Sequence, residues 1–212
     1  MIVVAPAAPS DLDAAAAVLA DAFVDDPVTA VVVGGDPATR LARTHHFFVG
    51  LLRPVVAAGT VDVARHAGDP DVLGVAIWEA PGARSGFGEL VQQLPSFWRA
   101  CGPGGLGRAL ATKRALERHR PRRAHWYLQE IGVGAAARGQ GVGGALLGSR
   151  LAAVDEQGAA AYLESSTERN RALYRRHGFV DLAPVRGVDA APMAMWRAPV
   201  SQRATRPAPV PA

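Results

Sequence analysis

The sequence contains few of the features that mark secreted, metal-binding or membrane-spanning proteins. Its 212 residues include a single cysteine, Cys101, which excludes a disulfide framework, gives no metal cluster and fits a reducing compartment. No uncharged apolar run reaches the ~20 residues that a transmembrane helix needs. The first ten residues also lack the basic and long apolar segments of a secretory signal. We therefore expect a soluble, cytoplasmic protein with no membrane partner and no bound metal.

Lysine is nearly absent, since Lys113 is the only one, and arginine supplies almost all of the positive charge. The 23 basic and 19 acidic residues leave a net charge of only +4. The arginines are scattered or form short groups such as 118–123, without the interleaved aromatic residues of a base-stacking surface. We therefore predict no nucleic-acid partner.

About half of the residues are apolar, which is enough for one core, and we predict a single domain over residues 1–198. The final stretch, 199–212, is rich in proline, alanine and arginine and is expected to be a disordered tail. Apolar periodicity and turn residues predict two early helices, a hairpin and a helical insertion over 83–121. The predicted later elements are strands over 126–133 and 160–165, a helix over 169–177, and extended runs that begin at Phe179 and Met193.

The most informative stretch is a strand followed by a glycine-rich loop and an amphipathic helix, over 126–158. The loop from Arg138 to Gly144 directly precedes the apolar positions Leu146, Leu147 and Leu151 of that helix. A helix N-terminus carries unpaired N–H groups and partial positive charge, both of which favour a phosphate group. The stretch therefore predicts a phosphate-rich cofactor.

Two cofactor classes fit this glycine pattern. Gly139, Gly141 and Gly144 satisfy the dinucleotide-binding spacing, and Glu164 lies twenty residues further on, which keeps a nicotinamide-dependent oxidoreductase as an alternative. However, the residues from Gly134 to Arg138 separate the strand from the first glycine, and only 48 residues follow Glu164. That remainder is too short for a doubly wound sheet.

Read as Arg-x-x-Gly-x-Gly, the residues Arg138, Gly141 and Gly143 resemble the pyrophosphate-binding motif of the GNAT superfamily of N-acetyltransferases. The segment 130–133 resembles that family's bulged fourth strand, and 163–179 resembles its fifth strand and the following helix. The sequence His-Arg-Pro at 119–121 resembles the sequence that precedes the fourth strand in the branch of the family that includes puromycin N-acetyltransferase. The resemblance implies a mixed α/β (α+β) fold of the GNAT type. This fold has a mostly antiparallel central sheet of about six to seven strands flanked by helices, with a helical insertion before the fourth strand.

The resemblance also implies acetyl-coenzyme A as cosubstrate, with its pantetheine arm between the fourth and fifth strands. It implies that Val133 N–H binds the oxyanion and that Tyr174 protonates the departing thiolate. The residues implied to bind the cosubstrate are Ile131, Val133, Arg138, Gly139, Gln140, Gly141, Val142, Gly143, Gly144 and Asn170.

The general base is left open between two carboxylates. Glu164 ends a predicted buried strand, where burial raises the pKa of a carboxyl group, and Glu130 flanks the bulge; we prefer Glu164. The resulting hypothesis is acetyl transfer to a primary amine of a small molecule by direct attack in a ternary complex, in a monomer or homodimer. Besides the oxidoreductase, a non-catalytic acyl-coenzyme A-binding module is the alternative.

Overall fold

The computed structural model describes residues 1–83, 87–188 and 190–203. Within them, seven strands form one sheet in the order β1-β2-β3-β4-β5-β7-β6. Only β4 and β5 pair in parallel, so the predicted mixed, mostly antiparallel sheet is confirmed. The strands are β1 Ile2–Pro6, β2 Val61–His66, β3 Gly74–Glu79, β4 Trp126–Val133, β5 Ala161–Ser165, β6 Val180–Pro184 and β7 Met193–Arg197. The helices are α1 Leu12–Phe23, α2 Pro27–Val33, α3 Pro37–Leu52, α4 Phe87–His119, α5 Val142–Glu156, α6 Glu168–Arg176 and α7 Val200–Arg203.

The two faces of the sheet carry separate hydrophobic cores, because side chains alternate along each strand. On one face, α1 and α3 pack against residues such as Val63, Val75 and Ile77. On the other face, α5 packs against the intervening residues, including Ala76 and Trp78. We call these the α3 face and the α5 face.

Two elements at the start of the chain were not predicted. The first is the edge strand β1, which pairs with β2. The second is α2: the Asp26 carboxylate accepts hydrogen bonds from the N–H groups of Val28 (2.9 Å) and Thr29 (3.0 Å), so that a helix begins at Pro27. Asp36 caps α3 in the same way, as its sequence with Pro37 predicted.

The predicted insertion is the long helix α4, which bends where Gly102 takes a φ of +65°. Arg43 fixes this bend, because its guanidinium donates hydrogen bonds to the carbonyls of Ala100 (2.7 Å) and Val33 (2.9 Å). Just beyond the end of α4, Arg120 forms an ion pair of 2.7 Å with Glu79 of β3. These contacts hold the insertion over the α3 face of β3, β4 and β5.

The first residues of the predicted tail include a short helix. Val200–Arg203 form α7, and Arg203 contacts Asp155 at 2.7 Å. Asp155 also accepts two hydrogen bonds of 2.6 Å from the buried Arg197, so α7 is tied to the end of α5 by charge. The rest of the predicted tail, 204–212, lies outside the described residues. Among the described helices, none has the length and apolar character needed to cross a bilayer.

Candidate active site

The centre of the sheet splits open between its two parallel strands. β4 and β5 pair at three positions only, from Trp126 with Ala161 to Leu128 with Leu163. Beyond Leu128 the rest of β4 continues along β3, with which it pairs as far as Val133. The predicted cosubstrate residues Ile131 and Val133 thus lie on β4 beside the opening that the two diverging strands create.

A β-bulge decides which side chains of β4 face each core. Ile77 pairs with Glu130 whereas its neighbour Trp78 pairs with Leu128, so Gln129 is an extra residue in β4. As a result Glu130 points to the α3 face with Ile77, and Ile131 points to the α5 face with Ala76. The bulge predicted by the family resemblance is therefore present, and it turns Glu130 toward the helices that cover the α3 face.

The glycine loop leaves β4 and enters α5 as predicted. A 3₁₀ turn, Ala135–Ala137, is followed by Gly139 and Gly141, whose φ angles of +82° and +83° suit glycine. Gly141 is the N-cap of α5 and no side chain caps that end of the helix. A Cβ atom at Gly139 or Gly141 would meet nothing within 4 Å among the described residues, so both face open space. The first turn of α5 is thus free to bind a phosphate group.

Residues around this loop fix its position. Asp21 of α1 accepts a hydrogen bond from Ala135 N–H (2.6 Å) and lies 3.6 Å from the Arg138 guanidinium. Gln140 donates from its side chain to the Ala136 carbonyl at 3.0 Å. Gly143 and Gly144, by contrast, face α6, since a Cβ atom on them would meet Leu173 at 3.5 Å and His177 at 3.8 Å respectively. The side chain of Val142 is buried in the core, so only its backbone is available to a ligand.

The helix α6 brings Tyr174 to the split from the other side. Thr167 caps α6, and Asn170 lies exposed one turn before Tyr174, which is only 5% exposed and packs edge-on against Phe179. Burial raises the pKa of the Tyr174 hydroxyl, and the carboxylates of Glu130 and Asp26 raise it further. Tyr174 packs in the core of the α5 face, whereas these two carboxylates lie on the opposite side of the sheet. Their electrostatic effect on the Tyr174 hydroxyl therefore acts across the split.

Glu164, the preferred base, lies on β5 with its side chain on the α3 face. Burial raises its pKa from 4.5 to about 6, although the hydroxyls of Tyr127 and Tyr162 and the Arg120 guanidinium favour the ionised form. In the part of the chain that is described, Glu164 Oε1 and the Tyr162 hydroxyl are buried without a partner in hydrogen-bonding geometry. Glu164 is thus a buried carboxylate with an unsatisfied acceptor.

Glu130 has a different electrostatic environment. Burial raises its pKa well above the usual value for a glutamate, and Asp26 and Glu164 add to the shift. Asp26 itself caps α2 and accepts a 2.5 Å hydrogen bond from Ser166, the residue after β5. Asp26, Glu130 and Glu164 therefore form one group of carboxylates beside the split.

These carboxylates line a cavity of about 490 Å³ on the α3 face. The sheet contributes the polar wall, which includes Glu79, Gln129 and Glu130, whereas α2, α3 and α4 contribute mostly apolar side chains. The cavity thus reaches the same split that the glycine loop and Tyr174 approach from the α5 face. One opening of the sheet therefore joins a surface that suits a phosphate group to a cavity with acidic and apolar walls.

Sequence reasoning brought together Glu130, Glu164 and Tyr174 but missed Asp26 and the cavity-lining residues of α4. The signal for Asp26 was available, because its sequence with Pro27 matches the helix-capping pattern at Asp36. The lining of α4 had no local signal, since its apolar pattern fits core packing equally well.

Comparisons with known proteins agree with this geometry. Residues 96–181 match the family model described as Acetyltransferase (GNAT) domain. An uncharacterized N-acetyltransferase of Schizosaccharomyces pombe is 28% identical over 182 residues, covering 80% of this chain and 71% of that protein.

Solved structures are similar over nearly the whole chain. One from Corynebacterium glutamicum, described as histone acetyltransferase HPA2 and related acetyltransferase, is 29% identical with a TM-score of 0.72, over 94% of this chain and 97% of the other. The Drosophila melanogaster polyamine N acetyltransferase shares the fold at 16% identity and a TM-score of 0.59, over 92% and 97% of the two chains. Residues 96–181 are thus similar to a GNAT acetyltransferase domain, and these likenesses together indicate an acyltransferase.

Proposed function

We propose that the protein transfers the acetyl group of acetyl-coenzyme A to a primary amine of a small molecule by direct attack in a ternary complex. The observation that carries this proposal is the split between β4 and β5. A glycine loop that suits a pyrophosphate lies on one side of it, and on the other lies a cavity with Asp26, Glu130 and Glu164 beside the split. Two substrates that enter from opposite faces would meet there.

The cosubstrate side fits coenzyme A in its chemistry. Gly139 and Gly141 open toward free space, and the first N–H groups of α5 lack intrahelical acceptors, as binding of a diphosphate requires. Arg138 is half-exposed beside this loop and adds positive charge. The backbone of Ile131 and Val133 would bind the pantetheine arm, with Asn170 on the facing helix. Acetyl-coenzyme A supplies an activated acyl group as a thioester.

The acceptor nitrogen must lose two protons in all, and the sulfur must gain one. Glu164 would accept the first proton from the ammonium, after which the amine nitrogen forms a bond to the acyl carbon and the carbon–sulfur bond breaks. The second proton would leave the nitrogen as the amide forms and replace the one that Tyr174 gives up. Val133 N–H would bind the negative charge that develops on the acyl oxygen. Tyr174 would give its proton to the thiolate, and its raised pKa keeps that proton in place until then.

The pKa shifts favour Glu164 over Glu130 as the base. With a pKa of about 6, Glu164 is mainly ionised at neutral pH and is able to take a proton. Burial and two neighbouring carboxylates favour the protonated form of Glu130, so it is less able than Glu164 to take a proton. An ammonium group bound beside Glu130 would favour its ionised form instead. We therefore assign Glu130 to the binding of the acceptor.

Further sequence features support finer assignments. The His-Arg-Pro sequence at 119–121 supports the branch that includes puromycin N-acetyltransferase, and Arg120 has a structural use there: its guanidinium stacks on the Tyr127 ring at 4.1 Å. The named product of the Drosophila enzyme, N-acetylagmatine, is an acylated small amine, which agrees with the substrate class proposed here. We also propose a cytoplasmic location, where acetyl-coenzyme A is available, and a monomer or homodimer.

Release of the coenzyme A thiol, measured with a panel of primary amines, tests the proposal. Tyr174→Phe should lower kcat by about 10²-fold or more, because the thiolate leaves without its acid, and leave the Kd of coenzyme A unchanged by calorimetry. Absence of coenzyme A binding would contradict the proposal. Tight binding without turnover of any amine would instead identify a non-catalytic acyl-coenzyme A-binding module.

The nicotinamide alternative gains no support from the fold. Its doubly wound sheet would need consecutive parallel strands, whereas here β4 and β5 are the one parallel pair among the described residues. A rise in melting temperature with reduced nicotinamide cofactor, and none with acetyl-coenzyme A, would reverse this conclusion.

A further inference from the structure

The negative charge in the wall of the cavity is unevenly distributed. Five carboxylates line it, but two of them are neutralised: Glu79 pairs with Arg120 at 2.7 Å, and Glu117 pairs with Lys113 at 3.8 Å. Among the described residues, the cavity carboxylates without an ion-pair partner are those of Asp26, Glu130 and Glu164. The negative charge available to a ligand is therefore concentrated beside the split.

These three carboxylates form one site rather than two separated ones. Asp26 is joined to the end of β5 by its hydrogen bond with Ser166, and Glu164 lies two residues earlier on the same strand. The bulge turns Glu130 to the same face of the neighbouring strand. One ammonium group can therefore be surrounded here, next to the reacting centre.

The remainder of the cavity offers a surface for hydrocarbon. Phe47 and Leu51 of α3 and Phe97, Leu106 and Leu110 of α4 face into it. Phe97 packs edge-on against Phe47, with ring centres 5.8 Å apart, and lies so close to Gly50 that a Cβ atom there would be 3.0 Å from the ring. This apolar wall is well packed and lies on the helices, away from the sheet.

Resting on the proposed function, we propose that the acceptor is a primary amine with a single positive charge and an apolar body, such as an alkylamine or arylalkylamine. Its ammonium group lies among Asp26, Glu130 and Glu164, and its hydrocarbon packs between α3 and α4. A second ammonium, as in a diamine or polyamine, would lose its hydration among apolar side chains or approach Lys113 and Arg120. The cavity thus selects against polycations.

Two matched series test this proposal: linear alkylamines, and α,ω-diamines with the same number of methylene groups. In the thiol-release assay, kcat/KM of the alkylamines should rise about fourfold per methylene until the cavity is filled. Each diamine should be at least tenfold poorer than the alkylamine of equal length. Diamines that equal or exceed the alkylamines would overturn the proposal while leaving the proposed acetyl transfer intact.

If no amine is acetylated, binding measurements still distinguish the assignment of the cavity from the proposed acetyl transfer. Calorimetry of the same amines, with coenzyme A present, should show the same preference for alkylamines even when no thiol is released. That result would reject the proposed function and keep the assignment of the cavity. Equal or stronger binding of the diamines would reject the assignment.

A matched pair of variants tests whether the hydrocarbon part of the acceptor packs against α4. Phe97→Ala should lower kcat/KM for long alkylamines about tenfold or more but change ethylamine little, because ethylamine does not reach the apolar wall. Trp98→Ala is the control, since Trp98 is the next residue of α4 but is 56% exposed and does not line the cavity. An equal loss for short and long amines in Phe97→Ala would contradict this placement.

A separate observation concerns Gln93, which lies one helical turn before Phe97 and also lines the cavity. It is 4% exposed, and among the described residues its side-chain carbonyl oxygen has no hydrogen-bond partner. A buried acceptor without a donor is unfavourable, and a ligand that supplies the donor relieves this cost. The structure assigns Gln93 as a specificity residue for an uncharged donor, such as a hydroxyl group, on the apolar part of the acceptor.

Amino alcohols of increasing length test this assignment against alkylamines with the same number of heavy atoms. For each pair we compare the ratio of kcat/KM for the amino alcohol to kcat/KM for the alkylamine. At one chain length this ratio should be about three- to tenfold higher than at shorter and longer lengths, since one net hydrogen bond contributes about that much. Gln93→Met should abolish that peak when each amino alcohol is compared with the matched alkylamine in the same variant. A peak that persists in Gln93→Met, or no peak at any length, would reject the assignment.

Discussion

The raised pKa of Glu164 leads to a defined pH dependence of catalysis. Because burial raises this pKa to about 6, the ionised fraction is about 0.9 at pH 7 and about 0.1 at pH 5. If Glu164 is the base, kcat/KM should therefore fall about tenfold between pH 7 and pH 5. An acceptor whose own pKa is near 10 stays protonated throughout this range, so the acid limb would belong to the enzyme.

The thiol-release assay with the amine well below its KM reports this limb directly. Glu164→Gln should reduce kcat/KM at pH 7 by about 10²- to 10⁴-fold and remove the limb near pH 6 from the residual rate. Glu130→Gln is the matched control, since it neutralises the other candidate carboxylate. Its rate is expected to fall through weaker amine binding, with the limb near pH 6 retained.

The neighbours of Glu164 also allow the direction of its pKa shift to be tested. The Tyr127 hydroxyl favours the ionised carboxylate and Glu79 disfavours it. Tyr127→Phe should therefore move the acid limb to higher pH, and Glu79→Gln should move it to lower pH. A limb that survives in Glu164→Gln, or that moves in the opposite directions in these two variants, would refute the assignment of Glu164.

Two further predictions concern the glycine loop and the chain end. Gly141→Ala places a Cβ atom at a φ of +83° and should weaken coenzyme A binding about tenfold by calorimetry, whereas Gly148→Ala, within α5 with open space around it, should leave binding unchanged and raise the melting temperature. Asp155→Asn should destabilise the fold by about 2 kcal/mol in urea unfolding at pH 7, because the buried Arg197 and the α7 residue Arg203 both lose their carboxylate. Arg197 and Arg203 lower the pKa of Asp155, so its contribution is present above about pH 4, the usual pKa of an aspartate, and is lost as the pH falls through the lowered pKa. The difference in stability between the two proteins should therefore shrink as the pH falls below about 4. A difference that stays constant in that range would contradict this account.

The coenzyme side of the site could be predicted from the sequence because its determinants are local. Strand β4, the glycine loop and the start of α5 follow one another directly, and each has its own signal in apolar pattern or glycine spacing. The loop residues Gly139 and Gly141 also take the positive φ angles for which glycine is needed. The sequence alone therefore predicts the order of these elements and the chemistry of the loop.

The acceptor side could not be predicted in the same way, because its residues are far apart in the chain and carry no common pattern. Asp26 precedes α2, Glu79 ends β3 and Phe97 lies in the middle of α4. The pairing of β3 with β4, and the packing of α4 against α2 and α3, bring them to one cavity. The apolar residues of α4 are also ambiguous by type, since residues that line a cavity and residues that fill a core have the same hydropathy.

The bulge at Gln129 explains how one strand can serve two substrates on opposite faces of the sheet. In a strictly alternating strand, Glu130 would lie on the α5 face with Leu128, since they are two residues apart, and Ile131 and Val133 would lie on the α3 face with Tyr127. At the bulge, Glu130 instead joins Tyr127 on the α3 face, and Ile131 and Val133 lie in the α5 core beside the glycine loop. The bulge therefore separates the carboxylates that suit an amine from the backbone that suits a thioester, and keeps both at the split where β4 and β5 part.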